Sequence, residues 1–279
     1  MEERILLTEC ADATGIISKV TSECFNYQVN IVHQDQFATT DDNRFFMRTV
    51  LEGDFSCENE LVQSIRDLLP ADAKVRLVSR AKKRIAVLVT KEAHVLGDLL
   101  IKSYSDAMRG QIVMVAGNHP DLRDLVEKFD IPFHYVPTEG ISREEHEERM
   151  CQLIDEANVD YVVLAKYMRI LSEKMVARYP LGKLINIHHS FLPAFIGAKP
   201  YQQAFDRGVK IIGATAHFVT NNLDEGPIIE QDVIKVNHRY DARTMAKAGR
   251  DVERLVLFRA LSRVLEDKVF IHGNKTVVF

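Results

Sequence analysis

The stretch Arg84–Thr90, RIAVLVT, is a nearly continuous apolar run, and a segment with helical spacing follows it through Leu96–Tyr104. The same alternation returns at residues 111–117, QIVMVAG, and at residues 160–166, DYVVLAK. Strands that are apolar throughout, with helices between them, are typical of a parallel sheet covered by helices on both faces. The chain after Arg84 therefore predicts a mostly parallel, Rossmann-like α/β domain.

The residues before Ser79 follow a different order: strand, helix, strand, strand, helix, strand. Arg44–Glu52 pairs as a hairpin with the preceding strand around TTDDN, and Cys57–Leu69 has the spacing of an amphipathic helix. This βαββαβ order is that of the ferredoxin-like fold. A basic segment, SRAKKR, separates the two patterns. We therefore expect a small domain over residues 1–80, a linker over residues 81–85 and a larger domain over residues 86–279.

Composition excludes several function classes. The net charge of the 279-residue chain is −4 and its basic residues are interspersed with acids, which argues against a nucleic-acid surface. No apolar run approaches the roughly 20 residues needed to span a bilayer, and the acidic start MEERILLTECAD is unlike a targeting peptide. The four cysteines are scattered and read as reduced thiols. We expect a cytoplasmic protein without nucleic-acid or membrane partners.

Candidate chemistry is concentrated at residues 184–190, LINIHHS, where an apolar strand ends in an amide and two imidazoles. Alternation along a strand predicts that Asn186 and His188 share one face and that His189 points to the other. The end of a parallel strand is where open α/β sheets place their sites. Adjacent histidines diverge and no third ligand has suitable spacing, so no metal site is expected.

A second polar insertion, TNNLDEGP, spans residues 220–227. The Gly226-Pro227 pair predicts a rigid turn, and it would aim the carboxylate of Asp224 at the same crevice. Taken singly, each feature has an ordinary alternative. A buried histidine is usually a hydrogen-bonded core residue, and an aspartate before Gly-Pro is usually a turn residue.

The combination resembles a known signature. Asn186-Ile187-His188 with Leu192-Pro193 and Gly197, followed by residues 223–227, LDEGP, resembles the formyltransferase signature of folate-dependent enzymes such as glycinamide ribonucleotide transformylase. Residues 164–171, LAKYMRIL, resemble that family's pterin-binding strand and loop. Residues 10–16, CADATGI, resemble a turn of the amino-acid-binding ACT domain. With TKEAH, HHS and GAKP, essentially the whole chain resembles the formyltetrahydrofolate deformylase family.

This resemblance implies hydrolysis of 10-formyltetrahydrofolate to formate and tetrahydrofolate, which balances one-carbon pools and supplies formate for purine synthesis. Asn186 and His188 would stabilise the developing oxyanion, and Asp224 would exchange protons with water and with the departing nitrogen. The implied folate-binding residues are Met168, Arg169, Ile170, Leu171, Leu223 and Gly226. His189 and Lys199 are candidates for contact with the formyl group or folate. Neither a permanently bound cofactor nor a metal is expected.

The ACT-like resemblance implies a regulatory role for the first domain. An effector such as methionine or glycine would bind near Asp12, Gly15, Asn30 and Ile31, and the chain would form a homo-oligomer, either a dimer or a tetramer. A domain used only for assembly is the alternative.

The nature of the formyl acceptor follows from residues 90–94, TKEAH. A nucleotide or phosphate site would carry a glycine-rich turn here, and this segment has no glycine. The missing turn argues against a phosphorylated acceptor and leaves water. Two alternatives stay open: a folate-dependent formyltransferase to an unidentified amine, and a non-catalytic folate-binding regulatory protein.

Overall fold

The computed structural model describes residues 2–195, 197 and 199–279; Ala198 of the GAKP stretch therefore lies outside the described residues. The chain forms two compact units. The first comprises residues 2–81 with Glu266–Phe270 and Val277–Phe279, and the second comprises Lys82–Leu265 with Ile271–Thr276. We expected one boundary, after residue 80. In the structure the two C-terminal segments also belong to the first unit.

The first unit has the βαββαβ order, with each element within about two residues of its expected ends. Its elements are β1 (Glu2–Ala11), α1 (Ile16–Asn26), β2 (Asn30–Ala38), β3 (Arg44–Gly53), α2 (Glu58–Leu68) and β4 (Lys74–Ser79). The strands form an antiparallel sheet in the order β2-β3-β1-β4. The ferredoxin-like architecture is thus confirmed.

Both faces of this sheet are covered, because its strands carry apolar residues on both sides. One face packs against the two helices through a cluster that includes Leu6, Val20, Leu51 and Ile65. On the other face, Phe46 lies edge-on to Phe270, with ring centroids 5.5 Å apart. The C-terminal residues therefore complete the core of the first unit.

The second unit is built on a seven-stranded sheet in the order β11-β10-β9-β8-β5-β6-β7. The strands are β5 (Lys83–Val89), β6 (Gly110–Gly117), β7 (Phe133–Tyr135), β8 (Tyr161–Leu164), β9 (Leu184–His188), β10 (Ile211–Phe218) and β11 (Ile228–Lys235). The five strands from β9 to β7 pair in parallel, and β10 pairs antiparallel with both β9 and β11. The predicted mostly parallel sheet is confirmed.

The expected linker over residues 81–85 largely belongs to this sheet. Strand β5 begins at Lys83, whose backbone N–H donates to the carbonyl of Arg109 over 3.1 Å. Basic side chains at the start of a strand do not prevent ladder hydrogen bonds, since these use the backbone alone. We therefore placed the end of the linker too late, at residue 85, because we relied on the polar composition of this segment, whereas β5 begins at Lys83.

The helices of the second unit are α3 (Ala93–Tyr104), α4 (Arg123–Glu127), α5 (Arg143–Glu156), α6 (Glu173–Ala177), α7 (Pro200–Arg207) and α8 (Ala242–Leu265). The last is 24 residues long. Asp241 precedes it and accepts a hydrogen bond from the Thr244 backbone N–H over 2.7 Å, as an N-terminal cap does. The hairpin β12 (Val269–His272) and β13 (Lys275–Val278) ends the chain. Within the described ranges, no helix is long and apolar enough to cross a membrane.

Candidate active site

A cavity of about 310 Å³ opens where β8, β9 and β10 meet the loops around them. Its wall comes from residues 166–171, 186–189 and 219–224, together with His217. The three segments that carry the predicted catalytic and folate-binding residues therefore converge on one cavity. For the segments that follow β8 and β9 this convergence is expected, because parallel strands end at the same edge of a sheet.

Strand β9 brings Asn186, Ile187 and His188 to the cavity wall, and His189 lines it as well. The wall therefore includes residues of both predicted faces. Because β9 ends at His188, the two-residue period does not govern the side chain of His189.

Asp224 lies beside His188, with Oδ1 3.2 Å from Nδ1 of that histidine. Its backbone has φ of 57°, in the left-handed region that aspartate tolerates better than most residues. Burial opposes ionisation of Asp224, but the neighbouring rings outweigh it, first that of His188 and then that of His217, so the pKa of the carboxyl lies well below its usual value. Asp224 is therefore a carboxylate at neutral pH.

His217 is a site residue that we did not predict. It lies on β10 opposite Asn186, and its Nε2 is 3.2 Å from Nδ2 of that amide and 3.7 Å from Oδ1 of Asp224. Its Nδ1 lies 2.9 Å from the carbonyl oxygen of Phe218. In the neutral tautomer that this carbonyl favours, Nδ1–H donates and Nε2 accepts from Asn186. The sequence signal that could have identified His217 is a histidine inside the apolar run IIGATAHFV, just before the Asp224 loop.

The other ring nitrogen of His188, Nε2, is buried and has no hydrogen-bond partner among the described residues. His188 itself is 5% exposed. An unpaired buried polar atom is costly, and such atoms in native structures are often functional. Nε2 is thus available to a ligand that enters the cavity.

The predicted folate-binding loop, Met168–Leu171, lines the cavity along its whole length, and so does Leu223. Two of its backbone groups are already engaged: the Met168 N–H donates to Thr90 Oγ1 over 3.0 Å, and the Ile170 carbonyl accepts from Arg143 over 2.7 Å. These bonds hold the loop, while Met168 and Ile170 expose their apolar side chains, at 57% and 61%.

Gly226 and Lys199 do not line this cavity. Gly226 is buried, and a Cβ there would overlap the carbonyl oxygen of Phe218. It therefore permits the Asp224 loop to approach β10 and does not face the ligand space. Lys199 is exposed at the start of α7, with φ of 55°.

His189 lies between two other rings: its centroid is 5.3 Å from that of His188 and 5.9 Å from that of Tyr201. Burial, and then the positive charge of Lys166, lower the pKa of His189 to about 4. The ring is therefore neutral at physiological pH.

The four candidate effector residues do not form one site within a single chain. Asp12 follows β1, whose last residue, Ala11, pairs with Arg44, whereas Asn30 begins β2 and pairs with Glu52. These partners are eight residues apart on β3, or roughly 27 Å at the usual rise per residue. Asp12 and Gly15 thus lie at one end of the sheet, and Asn30 and Ile31 at the other.

The part of the chain that the structure describes contains no group of three or more His, Cys, Asp or Glu side chains placed to hold a metal ion.

Comparison with known proteins gives a consistent result. The formyl transferase family model matches residues 83–261. The formyltetrahydrofolate deformylase of Haemophilus influenzae is 55% identical over 278 residues, covering 100% of this chain and 99% of that protein. The crystal structure of a formyltetrahydrofolate deformylase from Pseudomonas syringae matches with a TM-score of 0.95 and 41% identity, covering 100% of this chain and 95% of that one.

A transferase structure matches only part of the chain. Glycinamide ribonucleotide transformylase 1 from Symbiobacterium toebii has a TM-score of 0.68 and 26% identity, and the match covers 74% of this chain and 98% of that one. The similarity to deformylases, by contrast, extends over both units. The chain belongs to the formyltetrahydrofolate deformylase family, whose second unit is a formyl transferase domain.

Proposed function

We propose that the chain is an enzyme that hydrolyses 10-formyltetrahydrofolate to formate and tetrahydrofolate. Membership of the deformylase family supports the substrate. The observation that carries the mechanism is the buried Nε2 of His188, which lacks a hydrogen-bond partner in the described structure while Asp224 holds the opposite side of the ring at 3.2 Å. A hydrogen-bond donor positioned in this way suits the oxyanion that forms when water attacks the formyl carbon.

Asn186 supplies the second donor in this proposal. One N–H of its amide is directed to Nε2 of His217, which sets the plane of the amide and leaves the other N–H for the substrate oxygen. In this proposal His188 acts in its protonated form, in which Nδ1 donates to Asp224 at 3.2 Å and Nε2 donates to the oxyanion. A charged donor strengthens the hydrogen bond to an oxyanion.

Proton transfer is assigned to Asp224. As the C–O bond forms, the attacking water gives a proton to the carboxylate, and as the bond from carbon to N10 breaks, that proton passes to N10. The residues that we propose to receive the folate are Met168–Leu171 and Leu223, which line the cavity.

The decisive experiment omits any amine. The purified chain is incubated with 10-formyltetrahydrofolate, and formate and tetrahydrofolate are followed, alongside the variant Asp224→Asn. Asparagine tolerates the same left-handed backbone, so the comparison isolates the charge. We expect wild type to release formate and the variant to be slower by about 10²–10⁴.

Other outcomes distinguish the alternatives. Turnover only after an amine is added would indicate a transferase, and folate binding without turnover would indicate a regulatory protein. Equal rates in both proteins would remove Asp224 from its proposed role while keeping the activity.

For the first unit we propose regulation by an amino acid, with methionine and glycine as the candidates. Because the two pairs of candidate residues lie at opposite ends of the sheet, a site that contains both requires a second copy of the chain. We propose that the chain acts in the cytoplasm as a dimer or tetramer, and that its activity serves purine synthesis. Calorimetric titration with each amino acid, together with light scattering, tests this directly. A monomer that binds neither amino acid would contradict it.

A further inference from the structure

Behind His189 lies a group of buried charges that the proposed mechanism does not use. Glu253 on α8 is 1% exposed. Its Oε2 lies 2.7 Å from Nε2 of His94 and 3.3 Å from Nζ of Lys166, while its Oε1 accepts the Tyr201 hydroxyl over 2.7 Å. Burial opposes ionisation of Glu253, yet these neighbours lower its pKa to about 2. Glu253 is therefore a carboxylate fixed on three sides.

Lys166 forms the cavity side of this group. It lines the cavity, although it is only 5% exposed. Its backbone has φ of 59°, a conformation that favours glycine and strains a residue with a long side chain. Burying an ion pair also carries a desolvation cost. Two unfavourable features at one position in a cavity wall indicate a functional reason for this side chain.

The position of Lys166 in the sheet suggests that reason. The chain runs from β5 to β6 and β7 on one side of β5, and then returns to β8 and β9 on the other side. Lys166 follows β8, and Glu92 and His94 follow β5, so these residues surround the crevice at the switch point of the sheet. Open α/β sheets bind their ligands in this crevice, often with a phosphate at the start of the following helix.

Here the crevice is occupied by side chains. Glu92 immediately precedes α3, with its carboxylate 3.8 Å from Nζ of Lys166 and 3.5 Å from Nδ1 of His94. The carboxylates of Glu92 and Glu253, paired with Arg250 and Lys166, therefore lie where an anionic ligand would be received. Their volume disfavours a phosphorylated ligand at this point.

We propose that Lys166, held in place by Glu253, is a specificity-determining residue that closes the acceptor side of the site to amines and leaves access for water. This inference rests on the proposed function. In hydrolysis and in transfer alike, the nucleophile attacks the formyl carbon, the bond from carbon to N10 breaks, and N10 takes the proton that the nucleophile loses. The two reactions differ only in the nucleophile that reaches the carbon, so occupancy of the crevice decides the product.

The test measures how the formyl group partitions. Wild type and the double variant Lys166→Gly with Glu253→Gln receive 10-formyltetrahydrofolate with a labelled formyl group, plus glycinamide as the amine probe. Glycine suits the left-handed backbone at 166, and the paired change removes both members of the ion pair. We expect the ratio of formylglycinamide to formate to rise at least about tenfold in the variant, the scale on which pocket size discriminates between ligands.

Asp130→Gly is the matched control, because Asp130 is an exposed residue with φ of 56° outside the cavity wall. It replaces another left-handed residue with glycine and should leave the ratio at the wild-type value. Glu92→Ala is the second test variant. Its side chain is 39% exposed, so the change removes side-chain volume from the crevice without disturbing the core, and it should raise the ratio in the same direction.

If the double variant loses activity, a binding measurement still tests the inference. Calorimetry with glycinamide should detect binding to a folded variant and none to wild type. Folded variants that keep the wild-type ratio and do not bind glycinamide would overturn the inference. Wild type that releases no formate would contradict the proposed function instead. Wild type that forms formylglycinamide as fast as it forms formate would overturn the present inference.

Discussion

Asn186 and His217 are paired residues on adjacent antiparallel strands, and Nδ2 of the amide lies 3.2 Å from Nε2 of the ring. Because Nδ1 of His217 is directed to the Phe218 carbonyl, the ring orients the amide of Asn186. We predict that His217→Phe slows hydrolysis by about 10–10², somewhat less than the loss of an oxyanion donor itself. The KM for 10-formyltetrahydrofolate should change little, since the cavity keeps its folate-binding wall. Steady-state kinetics separates the two parameters.

A suitable comparison for this prediction is His146→Phe. His146 is also fully buried and its Nε2 lies 3.1 Å from a carbonyl oxygen, that of Val136, but it does not line the cavity. This variant should lose stability and keep its kcat. A similar fall in kcat for both variants would mean that His217 acts only through packing.

The Asp224 loop depends on a close approach at Gly226. A Cβ at this position would overlap the Phe218 carbonyl oxygen, which is backbone and cannot move aside easily. We predict that Gly226→Ala shifts the loop, lowers the free energy of unfolding by about 1–3 kcal/mol and reduces hydrolysis. Chemical denaturation and activity assays measure the two effects.

Gly97→Ala provides the reference substitution. Gly97 lies within α3, and a Cβ there would meet nothing within 4 Å. Alanine should therefore stabilise this helix by about 0.5–1 kcal/mol. Equal changes in the free energy of unfolding for the two substitutions would show that a Cβ at residue 226 does not clash with the Phe218 carbonyl oxygen.

Sequence reasoning succeeded where local periodicity and tertiary structure agree. The apolar runs at RIAVLVT and DYVVLAK predicted parallel strands, and the βαββαβ order of the first unit follows from alternation and helical spacing. The cavity also joins Asn186, His188 and the Met168–Leu171 loop, because the parallel strands β8 and β9 end at one edge of the sheet. Asp224 reaches the cavity from the loop that follows the antiparallel strand β10.

It failed where distant segments meet or a regular period ends. Periodicity does not register that β9 stops at His188, and so it does not determine where the side chain of His189 lies. No local pattern connects Lys166 with Glu253, which is 87 residues later on α8 and buried only because that helix packs on the sheet. The covering of the first sheet by Phe270 is likewise a contact between residues far apart in sequence.

The low pKa of His189 predicts a pH dependence of stability. Its pKa is about 4 in the folded chain, below the ordinary value of 6.5, so between these limits the unfolded state binds more protons. The free energy of unfolding therefore keeps its full value, as far as His189 is concerned, above pH 6.5, and it falls as the pH decreases toward 4. Allowing for partial exposure, we expect a loss of about 1–2 kcal/mol in wild type.

His189→Asn should remove this part of the pH dependence. Thermal unfolding midpoints, measured for both proteins at intervals from pH 4 to pH 7, give the comparison. Parallel curves for wild type and variant would indicate that His189 is protonated in the folded state over this range.

Tyr201 reaches Glu253 across a glycine of α8. A Cβ at Gly249, one turn before Glu253, would overlap the hydroxyl of Tyr201. Gly249→Ala should therefore displace the Tyr201 ring and lower the free energy of unfolding, by about 1–3 kcal/mol, even though alanine favours helix. In a Tyr201→Ala background the same substitution should be neutral or stabilising, because the overlap is gone. Denaturation of the four proteins gives this coupling energy, and additive effects would contradict the predicted contact between the two positions.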